Sequence, residues 1–299
     1  MSDMVVASWD PYNWILSYLL GLGTKRAIEK IREWRKKQKF WKDHFPEFFE
    51  EDVQTVIGTS KLIELSLPQL KEIKPKIRQQ IAEIGSYDYL AAKKLLIPSI
   101  RNCLCLYFNK VVKEQVVSEL KLKRNKNIIE YGGWVSSELA EKVLMTDRCR
   151  FRFGLKNKSG EIVWEITPKQ LQEHRRHPFE SDWIIVDVFE RRVLFEPVKR
   201  VNGTYTTDGT IITRIESPIS KKRDILCFMG THILGVYYGD IIFRNLQYLG
   251  EFDYQLHKNN IQNDSFQAVI KLNFEKYRWK DMPQKNVLHN IEIIDVKKI

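Results

Sequence analysis

The sequence predicts an α/β fold with a largely parallel central sheet, an antiparallel β-rich insertion and an amphipathic helical arm at the N-terminus. Three observations predict this class. Short apolar runs end in glycine, strict alternation of apolar and polar residues begins after residue 149, and basic residues crowd a periodic stretch before residue 50. These patterns divide the 299 residues into an arm over 1–50 and a domain over 51–299, with the insertion at about 149–216.

The composition favours a folded protein with an anionic partner. An apolar share of 43% is enough for a packed core and excludes a disordered chain. The net charge of +11 favours nucleic acid, a nucleotide or an acidic membrane surface as partner. The four cysteines lack zinc-site spacing and are predicted to be buried free thiols, which indicates a reducing compartment and hence the cytoplasm.

The arm combines an aromatic, apolar patch over 9–20 with a basic stretch over 25–42. Apolar residues recur there at steps of three and four, which predicts an amphipathic helix. Two interpretations stay open. The arm lies on an anionic membrane, or it packs on the main domain or on a second copy in a homo-oligomer, so residues 9–42 are the predicted association segment. The apolar core is too short to span a bilayer, and no cleavage site follows it.

A cluster of aromatic residues follows the basic stretch and is predicted to seat the arm on the main body. It comprises Phe40, Trp41, Phe45, Phe48 and Phe49, with Pro46 among them.

Three predicted strands of the main domain, 53–57, 127–131 and 224–229, each run directly into glycine. If they are parallel and adjacent, their carboxyl ends share one edge, where free backbone N–H groups can hold a phosphate. The alternative is a set of plain turns that need glycine for their dihedral angles. The predicted ligand-binding residues are Gly58, Thr59, Ser60, Gly132, Gly133, Gly230, Thr231, His232 and Gly235.

This arrangement resembles the Rossmann-like nucleotide-binding and sensor domains of prokaryotic signalling and defence effectors. Four segments within 51–299 carry the resemblance: 53–59, 86–92, 128–133 and 225–235. Such proteins often place a hydrophobic or membrane-associating segment ahead of the sensor, and residues 9–42 fit this position loosely. The resemblance implies a nucleotide-like ligand.

The insertion is predicted from alternation and turn residues. Arg150-Phe-Arg-Phe alternates strictly, and 162–166 returns as its hairpin partner. Further strands are expected at 183–189, 193–201 and 210–215, with turns at Asn202-Gly203 and Asp208-Gly209. The main domain then resumes with one helix over about 233–249.

Few residues suggest catalysis or a metal. His174 and His177 are better explained as part of a solvated basic loop than as zinc ligands, so no metal site is predicted. No cofactor is indicated. Asp88 and His232 form a provisional acid/base pair if the fold brings them together.

We therefore expect a cytoplasmic regulatory or sensor module that binds a nucleotide-like small anion, with membrane association through the arm as an open alternative. Two alternatives stay open. One is an enzyme that processes a nucleotide or a glycosidic bond. The other is a nucleic-acid-binding protein driven by the basic arm, whose affinity would fall steeply with salt.

Overall fold

The computed structural model describes residues 25–50, 53–57, 116–118, 126–134, 137–157, 159–167, 169–171, 183–199, 204–220, 222–277 and 288–299. Its strands form a seven-stranded central sheet and a separate four-stranded sheet. In chain order they are β1 (Val53–Ile57), β2 (Val116–Ser118), β3 (Asn127–Tyr131), β4 (Phe151–Lys156), β5 (Ile162–Val163), β6 (Trp183–Asp187), β7 (Arg192–Phe195), β8 (Tyr205–Glu216), β9 (Asp224–Gly230), β10 (Phe266–Tyr277) and β11 (Leu288–Lys298).

The central sheet is mixed, so the prediction of a largely parallel Rossmann-like sheet was wrong. Its spatial order is β11-β10-β8-β9-β3-β1-β2. The pairs β9–β3, β3–β1 and β1–β2 are parallel. The pairs β11–β10, β10–β8 and β8–β9 are antiparallel. Only residues 217–223 join β8 to β9, and a connection that short cannot make the crossover that parallel strands require.

The smaller sheet has the order β5-β4-β6-β7 and is antiparallel throughout. The hairpin predicted from Arg150-Phe-Arg-Phe is confirmed as β4 and β5. The predicted insertion nevertheless extended too far, because its last strand, β8, belongs to the central sheet. The turn predicted at Asp208-Gly209 was also wrong, since both residues lie inside β8 and pair with β10.

Helices cover one face of the central sheet, and the smaller sheet with one helix covers the other. The predicted helix over 233–249 is instead three helices. Asn245 starts the last of them by accepting a hydrogen bond from the amide of Gln247 at 2.9 Å. The described helices are α1 (Lys25–His44), α2 (Pro46–Glu50), α3 (Glu138–Leu144), α4 (Ile233–Tyr238), α5 (Ile241–Arg244) and α6 (Leu246–Lys258).

The aromatic cluster seats the arm on the main body, as predicted. Phe40, Trp41, Phe45 and Phe48 are buried in the core on the helical face of the central sheet. The ring of Phe243 in α5 packs among them, with its centroid 5.3 Å from that of Trp41. None of the described helices is long and apolar enough to cross a membrane.

Gln267 of β10 ties the two sheets together, and its replacement by leucine is expected to destabilise the protein. Its buried amide accepts a hydrogen bond from the amide of Phe151 at 2.8 Å and donates one to the carbonyl of the same residue at 3.0 Å. Leucine would leave both backbone groups buried without these partners, which we expect to lower the free energy of unfolding by about 2–4 kcal/mol. Urea denaturation measures the loss.

The matched control is Gln247→Leu, at an exposed position of α6. It should change the free energy of unfolding by no more than about 0.5 kcal/mol. Equal losses in the two variants would contradict the role of Gln267.

Candidate functional site

Three parallel strands of the central sheet end at one edge. β9, β3 and β1 are neighbours, and the register pairs Ile57 with Tyr131 and Tyr131 with Phe228. The condition on which the predicted edge depends, that these three strands are parallel and adjacent, is therefore met. The candidates Gly58, Thr59 and Ser60 lie outside the described residues.

The turn after β9 is already bonded to a carboxylate of the chain itself. Asp208 of β8 is fully buried, and its Oδ2 accepts a hydrogen bond from the amide of Gly235 at 2.7 Å. Its Oδ1 accepts from the amide of His232 at 3.1 Å and from the hydroxyl of Thr231. Helix α4 has no capping hydrogen bond from the side chain of His232, the residue that precedes it. Asp208 thus supplies the negative charge that a helix N-terminus favours.

Glycine permits the close approach that brings Asp208 to this turn. β8 runs antiparallel beside β9 and pairs Thr210 with Gly230, so Asp208 lies next to the end of β9. A Cβ atom on Gly235 would stand 2.4 Å from the carbonyl oxygen of Gly209. A Cβ atom on Gly209 would stand 2.4 Å from the ring of Phe195. Neither position has room for a side chain.

Other predicted ligand-binding residues also make internal backbone bonds. The amide of Gly132 donates to the carbonyl of Phe228 at 3.3 Å, and that of Thr231 donates to Gly209 at 2.8 Å. The carbonyl of Gly133 accepts from the amide of Ser137 at 3.0 Å. Ligand contact at these residues stays a prediction. A ligand at this edge must be held by more than the backbone amides that the sequence suggested.

His232 lies at the same turn, largely buried beside an aromatic ring. Its ring centroid is 4.7 Å from that of Tyr205, and its Nδ1 is 3.5 Å from Oδ1 of Asp208. Within the described part of the chain, this buried Nδ1 has no hydrogen-bond partner. Asp88, the other half of the provisional acid/base pair, lies outside the described residues. That pairing stays a prediction.

Sequence reasoning missed a charged cluster at the end of β3. The hydroxyl of Tyr131 donates to Oδ2 of Asp240 at 2.8 Å, and Nε of Arg244 donates to Oδ1 of the same carboxylate at 2.8 Å. Burial, and after it the charge of Asp240, raise the pKa of Tyr131 well above its ordinary value, so this hydroxyl is a donor. Burial likewise raises the pKa of Tyr237 and of Tyr238, and both lie close enough to interact with the charge of Arg244.

One atom of this cluster stands out. Nη2 of Arg244 is buried and has no hydrogen-bond partner among the described residues. A buried guanidinium N–H without an acceptor is costly, which makes this atom a candidate contact for an anion. No sequence motif distinguishes Arg244, because in the sequence it looks like the last residue of an ordinary amphipathic turn.

The face of β3 opposite Tyr131 carries a buried acid of its own. Glu130 is fully buried, accepts a hydrogen bond from the hydroxyl of Ser137, and lies 3.4 Å from the thiol of Cys227. Cys149 and Cys227 are buried free thiols, as predicted. Burial raises the pKa of the Cys149 thiol, so it is not a reactive thiolate at neutral pH.

Comparison of the chain with protein-family models, with curated proteins and with solved structures finds no match. The candidate site is therefore interpreted from the geometry of its own residues.

Proposed function

We propose that this protein is a regulatory module that binds a small, nucleotide-like anion beside the carboxyl ends of β9, β3 and β1. Arg244 would contact the anionic group of the ligand. The arm would respond by changing its association with an anionic membrane surface or with a second copy of the chain. The observation that carries this proposal is the position of Arg244, which lies beside the strand ends and directly next to the residue on which the arm packs.

The hydrogen bonds already made at the carboxyl ends of the strands favour a cationic side chain, rather than backbone amides, as the group that contacts the ligand. The amides of His232 and Gly235 already donate to Asp208. Arg244, in contrast, has a buried N–H without an acceptor in the described residues. A phosphate or carboxylate oxygen would satisfy that group through a charge-assisted hydrogen bond.

Helix α5 supports a connection between ligand and arm. Phe243 and Arg244 are consecutive in this helix. The ring of Phe243 lies 5.3 Å from that of Trp41 and 5.9 Å from that of Phe40, measured between centroids. A ligand that shifts Arg244 would therefore shift a residue in direct contact with the arm. The outward face of α1 carries exposed basic residues that suit an anionic surface: Arg32, Arg35, Lys36, Lys39 and Lys42.

Calorimetric titration of the full chain with a panel of nucleotides tests the proposal. At least one nucleotide should bind, and Arg244→Gln should weaken its binding roughly 10- to 100-fold, because a hydrogen bond to a charged group is lost. Arg244→Lys keeps the charge but loses the planar fork of donors, so its affinity should lie between the two.

The control is Arg148→Gln, an exposed position in the turn after α3, which should leave affinity unchanged. Thermal melting without ligand shows whether each variant is folded. If no nucleotide releases or absorbs heat, or if folded Arg244→Gln binds as tightly as the wild type, the proposal is rejected.

A further inference from the structure

Three side chains that could ligate a metal meet where the arm joins the main body. His44 is the last residue of α1, and Asp253 and His257 lie one turn apart on α6. Their ligand atoms all lie within 4.8 Å of one another. Because His44 is more than 200 positions from the other two, no local sequence pattern marks this group.

The hydrogen bonds of His44 suit a metal ligand. Its Nδ1 is 3.3 Å from the backbone carbonyl of Gln262, and its Nε2 is 2.6 Å from Oδ1 of Asp253. Both of these neighbours are acceptors, whereas a neutral imidazole carries only one N–H. Zinc bound at Nε2 would take the place of the proton in the contact with Asp253, while a proton on Nδ1 would still satisfy the carbonyl. A ligating histidine commonly donates its other N–H to a backbone carbonyl in this way.

The spacing between Asp253 and His257 fits a zinc site, whereas the contact between Asp253 and His44 would have to lengthen. Ligand atoms of a tetrahedral zinc ion are roughly 3.3 Å apart, given metal–ligand distances of about 2.0–2.1 Å. The distance from Oδ1 of Asp253 is 2.6 Å to Nε2 of His44 and 3.5 Å to Nε2 of His257. His44 is buried and fixed, while the side chains of Asp253 and His257 are 43% and 55% exposed. These two can therefore adjust around an ion.

We propose that His44, Asp253 and His257 bind a zinc ion that clamps the end of the arm helix α1 to α6. Two imidazoles and one carboxylate favour zinc or a similar transition metal over Mg²⁺ and Ca²⁺, which prefer oxygen ligands. Three protein ligands leave a fourth tetrahedral position for water. The clamp does not depend on the proposed ligand at Arg244, so either proposal can fail without the other.

Calorimetric titration of the metal-stripped full chain with ZnCl₂ tests the clamp, with MgCl₂ as a comparison. The wild type should bind zinc at this site, and zinc should raise its melting temperature. His257→Gln and Asp253→Asn should each weaken this binding by at least tenfold, because a ligand is lost. Cobalt should give a tetrahedral visible spectrum in the wild type that His257→Gln lacks.

Two further variants locate the ion. His289→Gln changes an exposed histidine on β11 and should bind zinc like the wild type. The double variant His174→Gln/His177→Gln should also keep the site. Zinc binding that is absent from the wild type, unchanged in His257→Gln, or lost only in the double variant overturns the proposal.

Discussion

Replacing Arg214 with methionine will lower the free energy of unfolding by about 3 kcal/mol and loosen the arm. This buried arginine of β8 donates to the backbone carbonyl of His44 at 2.6 Å, at the end of α1. It also donates to Glu47 at 2.9 Å, to Asp224 at 2.8 Å and to Asn263 at 2.6 Å. Methionine keeps the apolar stem but leaves these acceptors without their shared donor. Urea denaturation measures the stability, and limited trypsin digestion of the basic helix α1 measures the release of the arm.

Arg192→Met is the matched control. Arg192 also pairs with two acids, Glu190 at 2.8 Å and Asp295 at 2.5 Å, but its side chain is 47% exposed. Exposed ion pairs contribute about 0–1 kcal/mol, so this variant should stay near wild-type stability and keep the arm protected. If Arg214→Met lost no more stability than Arg192→Met, or lost stability with no faster cleavage of α1, Arg214 would not be what holds the arm.

The strands could be predicted from local pattern, but their partners could not. Val53–Ile57 is a short apolar run ended by glycine, and the structure gives β1 the same bounds. The alternation after Arg150 likewise predicted β4 and its hairpin. Sheet order depends on contacts between distant segments, however, and β8 shows the consequence. Its position along the chain places it next to the predicted insertion, yet it lies between β9 and β10 in the central sheet.

Local sequence suggested where strand ends would meet, but not the polar groups that lie beside them. Each of the three apolar runs leads directly into glycine, which suggested strand ends at a common edge. The strands β9, β3 and β1 do end together. The groups that set the chemistry come from other segments. Asp208-Gly209 was predicted as a turn because these residues favour turns, but a glycine inside a strand also indicates close approach of another chain segment. Arg244 carries no local signal, since its importance depends on a buried environment that only the folded chain creates.

Replacing Asp208 with alanine will destabilise the protein by about 4 kcal/mol or more, the largest loss we expect from a single carboxylate. The amides of Gly209, His232 and Gly235 donate to it at 2.8, 3.1 and 2.7 Å, as does the hydroxyl of Thr231. The amides of His232 and Gly235 would lose their acceptor, while the amide of Gly209 would keep only its bond to the hydroxyl of Thr231 at 3.0 Å. Asp208→Asn keeps one oxygen but turns an NH₂ group toward one of the donors, so its loss should be smaller, about 2 kcal/mol. Urea denaturation with a tryptophan fluorescence readout measures both.

Comparing Asp208→Asn with Asp208→Ala separates the effect of lost hydrogen bonds from the effect of lost packing. Asparagine matches aspartate in shape, so a loss in Asp208→Asn reports the charge and the misplaced donor, whereas alanine also removes volume. Asp147→Asn, at an exposed turn, should change stability by no more than about 0.5 kcal/mol. If Asp208→Asn matched that control, the carboxylate would not be what organises the turn after β9.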